Sequence, residues 1–243
     1  MSRQHHTLVI GWIATLVLVT LFCLLGHWQW RRMHEKQAML AAVAQVIDAR
    51  RVQPLLIAAD PARSKSYDWA GGAGHFIDTP AWLLDNQQRD GQPGVRVFRL
   101  FAVAGMGTPL LVEMGWVPIS ASRELPELPA MPGGAIDIHG LLLPPPSRGL
   151  LAAAASETAA GHLVIGLDPA TIAATLGVPA IAPRILRLDP ALPLGQARDL
   201  DVLPNTLPPE KHLGYSVQWF ALAAAIFIIA IVLTLRSRRR HHE

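Results

Sequence analysis

Two histidines stand beside aromatic residues in a chain that is rich in apolar residues. His27 directly precedes Trp28, and His212 is followed by Tyr215 and Trp219. A neutral imidazole can ligate haem iron axially, and flanking aromatic rings would form an apolar wall against the macrocycle. The same grouping is typical of an interfacial anchor, because amphipathic rings collect where a membrane meets water. The residues alone leave both interpretations open.

The other candidates for chemistry are weak. Cys23 and His27 are four residues apart and would offer a soft metal two ligands, which is too few for a site. Asp199 and Asp201 could chelate a divalent cation, but two acids beside Arg198 are more typical of a solvated linker. The sequence has no G-x-S-x-G, Walker A, H-E-x-x-H or EF-hand motif. We therefore expect a protein that is not an enzyme.

The composition indicates a membrane protein. Apolar residues make up 51% of the 243 residues and charged residues only 16%, whereas soluble domains average about 25% charged. The runs Leu8 to Leu25 and Leu213 to Leu235 carry no charge, and each is long enough to cross a bilayer. The sequence predicts transmembrane helices over residues 8–25 and 212–235.

The first span could instead be a signal sequence. A lipoprotein signal would end at Cys23, but the bulky Phe22 stands where such signals have a small residue. A cleaved signal peptide would need a small-x-small site after the apolar run, and none follows. We expect an uncleaved anchor.

The basic excess of the chain lies in its tails. The formal charge is +3 and the pI is near 9.5, yet residues 26–211 carry 13 Arg, 3 Lys and 17 acidic residues. A nearly neutral central segment argues against nucleic-acid binding, which needs basic residues together on one folded surface. The excess of basic residues in the tails is better explained by membrane topology.

Basic residues next to the spans predict the orientation. Four arginines lie within residues 236–240, directly after the second span, and the positive-inside rule then places both tails, 1–7 and 236–243, in the cytoplasm. Residues 26–211 would be periplasmic. Arg31, Arg32 and Lys36 argue the other way, because they follow the first span on its outer side.

The central segment is expected to open with a helix. Leu40, Val43 and Ile47 recur at helical spacing, and neither Gly nor Pro interrupts the chain between them and Pro54. This helix would continue the first span beyond the bilayer.

Beyond Pro54 the pattern indicates short strands separated by Gly and Pro. Residues 95–103 and 110–119 predict a β-hairpin around the loop 105–109. Further strands are predicted at residues 82–84, 136–143, 163–167 and 184–188.

One short helix is predicted over residues 169–176, because Asp168 can cap it, Pro169 suits its first position and Gly177 can end it. The glycine-rich run 71–74 lacks the strand-then-helix context of a phosphate loop and predicts a flexible turn. Loops are expected at residues 125–134, 144–149 and 151–160, and a linker at 203–209. Together these elements predict one mostly antiparallel α+β domain.

Several motifs make the chain similar to one known family. In chain order they are Leu25-Gly26-His27-Trp28-Gln29-Trp30-Arg31-Arg32, Gly74-His75-Phe76, Leu84-Asp85-Asn86-Gln87, Leu111-Val112-Glu113-Met114-Gly115-Trp116-Val117-Pro118 and His212-Leu213-Gly214-Tyr215-Ser216-Val217-Gln218-Trp219-Phe220-Ala221-Leu222-Ala223. The chain resembles the surfeit locus protein 1 family of cytochrome c oxidase assembly factors, in its bacterial type. The last motif is specific, and its position at the start of the second span further argues against a chance match.

The resemblance implies two transmembrane helices around one exported domain, located in the bacterial inner membrane. It implies an assembly factor that serves the haem-containing subunit of a haem-copper oxidase, with haem a synthase as a candidate second partner. The family's bacterial members are associated with haem a, and the histidine at position 212 is the proposed ligand, with Tyr215 and Trp219 near it. The resemblance supports His27 as a ligand less strongly, because histidine is not a fixed residue of the family at that position. Trp28, Gln29, Gly115 and Trp116 belong to its motifs.

The chain departs from the family at three positions. Glu113-Met114 replaces Asn-Arg, and Gln87 stands where Arg is common. If those arginines bind an anion, this protein lacks that role or moves it to Arg89 or Arg96. The neighbouring Gly115-Trp116 pair has a structural explanation, since Gly permits a bulge or a close approach near a strand end and Trp packs a core.

Two other functions stay open. A haem-independent chaperone of the oxidase subunit would need no ligand at His212. A two-span sensor would need a cytoplasmic output, for which both tails are short.

Overall fold

The computed structural model of the protein describes residues 3–120, 125, 127–146, 156–202 and 206–239. Its helices and strands are, in chain order, α1 (Arg3–Ala49), β1 (Gln53–Pro54), β2 (Asp68–Phe76), β3 (Ala81–Arg89), β4 (Gln92–Val103), β5 (Leu110–Pro118), β6 (Ile136–Leu143), β7 (Ser156–Thr158), β8 (Gly161–Val164), α2 (Pro169–Leu176), β9 (Ile185–Leu188) and α3 (Pro209–Arg239). Two short 3-10 helices, Leu55–Ala59 and Pro61–Arg63, lie between β1 and β2. The chain divides into two units, one made of its two ends up to Ala41 and from Thr206, the other of the residues between.

The first unit is a pair of long apolar helices. Both α1, from Leu8, and α3 are long and apolar enough to cross a membrane. Helix α1 runs on to Ala49, which confirms the predicted helical continuation of the first span. Helix α3 begins at Pro209, where the missing N–H of proline costs no intrahelical hydrogen bond.

Helices α1 and α3 meet along one row of residues, which we call the helix seam. Less exposed residues recur on each helix at alternating spacings of three and four, the spacing that keeps a seam facing a partner helix. On α1 they are Leu8, Trp12, Thr15, Val19, Phe22, Gly26, Gln29, Met33 and Lys36. On α3 they are Pro209, His212, Ser216, Trp219, Ala223, Ile226 and Ala230.

Contacts along the seam fix an antiparallel register. Near one end, the indole N–H of Trp12 donates to Thr234 at 3.1 Å. Farther along α1, the ring of Phe22 lies 5.4 Å from that of Trp219. The partner numbers on α3 fall as the numbers on α1 rise, and the neutral aromatic and hydroxyl contacts suit an apolar environment.

The second unit is built on a mixed β-sheet. Its strands lie in the order β1-β2-β6-β9-β5-β4-β3-β8-β7, and a further pairing of β2 with β4 closes β2, β6, β9, β5 and β4 into a ring. Within the described residues, six strand pairs are antiparallel and three, β1–β2, β3–β8 and β5–β9, are parallel. The domain is therefore α+β with mixed pairing.

Alternating side chains give this sheet two apolar faces. Val97 and Phe101 of β4 join a buried cluster to which all five ring strands contribute, so that cluster fills the ring. Phe98 of the same strand belongs to a second cluster on the other face. Ile172 of α2 and Val43, near the end of α1, cover that second face.

Most predicted elements are confirmed, although β3 is longer than the predicted strand 82–84 and β8 shares only two residues with the predicted strand 163–167. The hairpin is β4 and β5, and the predicted strands correspond to β3, β6, β8 and β9. Helix α2 spans the expected residues, with the Asp168 side chain accepting from the Ala170 N–H and Gly177 at a φ of +66°.

The prediction of a flexible turn at residues 71–74 is wrong, because those residues lie inside β2. Gly74 pairs with Ile136 of β6 and with Val103 of β4, where the ring closes. A Cβ there would lie 2.2 Å from the Ala102 carbonyl oxygen. Glycine at this position lets the two strands approach closely and does not form a bend.

The predicted loop 151–160 is corrected in part, because residues 156–158 form β7. Residues 151–155 lie outside the described part of the chain, as do 147–149 of the predicted loop 144–149 and 203–205 of the linker.

Candidate functional site

The candidate site is centred on His212, in the first turn of α3. Its Nδ1 atom lies 2.6 Å from Oε1 of Gln29 on α1. An amide oxygen only accepts hydrogen bonds, so Nδ1 carries the proton and the lone pair stands on Nε2. Nε2 is buried and has no hydrogen-bond partner among the residues that the structure describes.

A metal-ligating histidine is held in the same way at one ring nitrogen, because a second residue accepts from its N–H and fixes the tautomer and the ring orientation. In His212 the other nitrogen, Nε2, keeps its lone pair but is covered. The donor groups of the site are one neutral imidazole and one neutral amide. The imidazole would be the group to ligate an iron that a macrocycle already holds, and the amide would orient it.

The described residues do not form a closed metal site of protein ligands. In the described part of the chain, no group of three or more His, Cys, Asp or Glu side chains is placed to hold a metal ion. Cys23 is exposed on α1, away from the seam that buries His212.

The seam around His212 is held by polar contacts on both sides. The Ser216 hydroxyl donates to the Gly26 carbonyl oxygen at 2.9 Å, and both residues are buried. On the other side, the ammonium of Lys36 donates to the Leu207 carbonyl oxygen. The first bond joins α1 to α3 one turn from His212, and the second joins α1 to the residues just before α3.

The structure brings some predicted site residues to the seam and leaves others outside it. Trp219 lies in the seam, one turn from Ser216 and against Phe22. Tyr215 is 43% exposed and Trp28 is exposed as well, both on outward helix faces. His27 is also exposed, and the hydrogen-bond partner of His212 is Gln29, not His27.

Sequence reasoning missed the role of Gln29. It was recognised as part of a motif, but not as the residue that holds the His212 ring. No local sequence signal identified it, because the three-and-four repeats on which Gln29 and His212 fall are repeats of less exposed residues, which only the folded helix pair defines. Pairing the two repeats in antiparallel register places them opposite each other.

The second unit has its own buried polar cluster, around Glu113. One carboxylate oxygen of Glu113 accepts from Arg96 on β4, and the other accepts from Nε of Arg187 on β9 at 2.9 Å. Glu113 is 2% exposed. Arg96 is therefore engaged by Glu113, while Arg89 pairs with Asp199 at 3.3 Å. Both arginines thus have a carboxylate partner in this structure.

A cavity of about 250 Å³ lies beside this cluster, lined in part by Trp116, Arg198 and Asp199. Burial lowers the pKa of Arg198, and Asp189 partly offsets that effect. The Arg198 guanidinium donates to the carbonyl oxygens of Asp189 and Leu192. Arg198 stays positively charged, and its hydrogen bonds stabilise the loop that contains Asp189 and Leu192.

The Gly115-Trp116 pair shapes the edge of that cavity. Gly115 has a φ of +126° at a register shift between β4 and β5, which confirms the predicted bulge. A Cβ on Gly115 would lie 2.6 Å from the Gln196 carbonyl oxygen. Trp116 is half-buried against Gly94 and does not belong to either core cluster.

Fold and site together define a class of protein. Two end helices that are able to cross a membrane pair along one seam, a β-rich domain lies between them in sequence, and a buried histidine is oriented within the helix pair. The chain belongs to the SURF1 family, whose model matches residues 16–224. The family predicted from the sequence is therefore confirmed.

One curated relative is the cytochrome oxidase assembly protein SHY1 of Saccharomyces cerevisiae. The two proteins are 24% identical over 159 residues, which is 62% of this chain and 40% of the yeast protein. The chain thus matches about two fifths of its relative's length.

Proposed function

We propose that this protein is a membrane-bound assembly factor for a cytochrome oxidase and that it holds or presents haem a to the haem-containing subunit of that enzyme. Membership of the SURF1 family and the name of the yeast relative support the assembly role. The role needs no turnover, so the protein acts as a binding factor and not as an enzyme. Haem a is its cargo, and haem a synthase is a candidate source of it.

The observation that carries the haem proposal is the His212–Gln29 pair. The Gln29 oxygen holds the Nδ1 proton, and Nε2 keeps an unused lone pair in a buried position. A buried polar atom without a partner costs about 1–3 kcal/mol, and ligation of an iron would remove that cost. Because Nε2 is covered, the side chains over it must move aside when the ligand enters.

The helix pair would supply the rest of the binding surface. Trp219 and Phe22 present aromatic faces in the seam, which suit contact with a flat apolar macrocycle. Tyr215, on the outward face of α3, can contact only a ligand that reaches the side of the pair. His27 is also exposed and is the weaker candidate ligand.

The proposed location is the bacterial inner membrane, with both termini in the cytoplasm and the β-rich domain in the periplasm. The two apolar helices support membrane insertion. Arg236, Arg238 and Arg239 in the last turn of α3 support the orientation.

A second candidate function is a haem-independent chaperone of the oxidase subunit. The hydrogen bond between His212 and Gln29 also fixes the register of two helices, and a structural bond of that kind needs no ligand. The experiment below distinguishes the two functions.

The test is to purify the full chain from cells that make haem a and to record its absorption spectrum. Wild type should carry haem a, and His212→Ala should lose it. His34→Ala is the matched control, since His34 is exposed on α1, and it should keep the haem content of wild type. Unchanged haem content in His212→Ala would overturn the ligand role. Wild-type protein that co-purifies with the oxidase subunit but carries no haem would favour the chaperone function.

A further inference from the structure

Lys36 carries a buried positive charge that no carboxylate of the described residues neutralises. Only 8% of the residue is exposed. Its ammonium donates to the Leu207 carbonyl oxygen, and no ion pair involves Lys36 within the described ranges of the chain. A buried ammonium is costly unless it is paired, and the described residues supply an acceptor for one of its three N–H bonds.

The surroundings of Lys36 add positive charge. Leu207 lies two residues before α3 begins, so the ammonium stands near the positive end of that helix dipole. Lys211 lies in the same first turn. Nearby on α1, Arg32 shares the exposed Glu35 with Arg31, so one carboxylate serves two guanidinium groups. The first turn of α3 offers Glu210, which is exposed and forms no ion pair with Lys36.

Lys36 is also placed in relation to His212. It lies in the seam seven residues after Gln29, which is two helical turns and about 10 Å along the axis. Lys36 and Arg32 are close enough to His212 for both charges to act on it. A ligand that is bound at His212 and extends toward the start of α3 would therefore meet a buried, unpaired cation.

We propose that the Lys36 ammonium binds a carboxylate of the ligand that His212 holds. This inference rests on the proposed function and extends it. The ligand is then a tetrapyrrole with its iron at His212 and a propionate at Lys36, and Lys36 is a positioning residue. A charge-assisted N–H···O bond of this kind replaces solvent that the ammonium has lost.

The experiment compares haem a with its dimethyl ester, in which both propionates are uncharged. Full-length protein is placed in phosphatidylcholine nanodiscs, and binding is followed by the Soret absorption. Wild type should bind haem a at least about tenfold more tightly than the ester, the factor expected for a hydrogen bond to a charged group. Lys36→Gln should weaken haem a binding to the level of the ester and leave ester binding unchanged.

Two further variants keep this comparison specific. Lys36→Arg retains the cation and should retain the preference for haem a over the ester. Lys65→Gln removes an exposed lysine of the second unit and should behave as wild type. If Lys36→Gln does not fold, loss of the preference in Lys36→Met and its retention in Lys36→Arg give the same test.

The outcomes separate the two proposals. Equal binding of acid and ester by wild type, with binding still dependent on His212, overturns the role of Lys36 and leaves the proposed function standing. Binding that does not depend on His212, or no binding by wild type, overturns the proposed function and this inference with it. If acid and ester bind equally and native mass spectrometry shows that Lys36→Gln loses a bound phospholipid, the partner of Lys36 is a lipid phosphate and the inference is overturned.

Discussion

Gln29 and His212 are separated by 183 residues in the chain, and their side chains meet at 2.6 Å across the two end helices. The β-rich domain lies between them in sequence, so this contact can form only when the chain returns to its starting helix. The pair joins the two helices and also selects the Nδ1–H tautomer of the imidazole. Structure and proposed function thus depend on the same hydrogen bond.

The first prediction concerns Gln29. Gln29→Leu removes the acceptor and leaves the buried Nδ1–H of His212 without a partner, which should lower the free energy of unfolding by about 1–3 kcal/mol. It should also reduce the retained haem a, because the ring loses its orientation. Thermal unfolding in detergent and the haem spectrum measure the two effects.

Gln37→Leu is the control for that variant, since Gln37 is exposed on the same helix. It should match wild type in both measurements. Equal stability of the Gln29 and Gln37 variants would contradict a buried hydrogen bond at position 29.

The second prediction concerns the close contact at Gly26. A Cβ on Gly26 would lie 3.0 Å from the ring of Phe220, whereas a Cβ on Gly11 of the same helix would have nothing within 4 Å. Gly26→Val should therefore destabilise the helix pair by about 1–3 kcal/mol through overpacking. Gly11→Val makes the same change without a clash, and the difference between the two melting temperatures isolates the contact.

Loss of stability that is equal in both glycine variants would mean that the effect comes from the helix backbone alone. In that case the packing of Gly26 against Phe220 would have no measurable effect on stability.

The elements that the sequence predicted well have local causes. Helix α2 is determined by Asp168, Pro169 and Gly177, which act within a few residues of it. The hairpin of β4 and β5 follows from two apolar runs and one short loop. Patterns of this kind can be read without knowing where the rest of the chain lies.

What the sequence did not predict depends on distant partners. Gly74 was interpreted as part of a turn, because a glycine run is typical of turns and the strand that approaches it, β4, comes 18 or more residues later. The parallel pairing of β9 with β5 likewise joins segments more than 70 residues apart. The partner of His212 was missed for the same reason.

The third prediction concerns the ring closure. Gly74→Ala would place a Cβ 2.2 Å from the Ala102 carbonyl oxygen and 2.4 Å from the Phe101 ring. Backbone oxygen cannot move away as a flexible side chain can, so β2 and β4 would separate and the yield of folded protein should fall sharply. Protease resistance of the β-rich domain measures this. Gly107→Ala meets no atom within 4 Å and should leave the resistance unchanged.

The fourth prediction concerns the buried charge of Glu113. Glu113→Gln keeps the shape of the side chain but leaves Arg96 and Arg187 facing each other without the carboxylate between them. Removing one partner of a buried ion pair costs about 3–5 kcal/mol, and two cations depend on this one. Chemical denaturation should show a loss of that size, while Glu157→Gln, at an exposed acid of β7, should change little. Because Arg96→Met removes one of the two cations, combining it with Glu113→Gln should recover part of the loss. If the double variant is less stable than Glu113→Gln alone, repulsion between the arginines is not the cause.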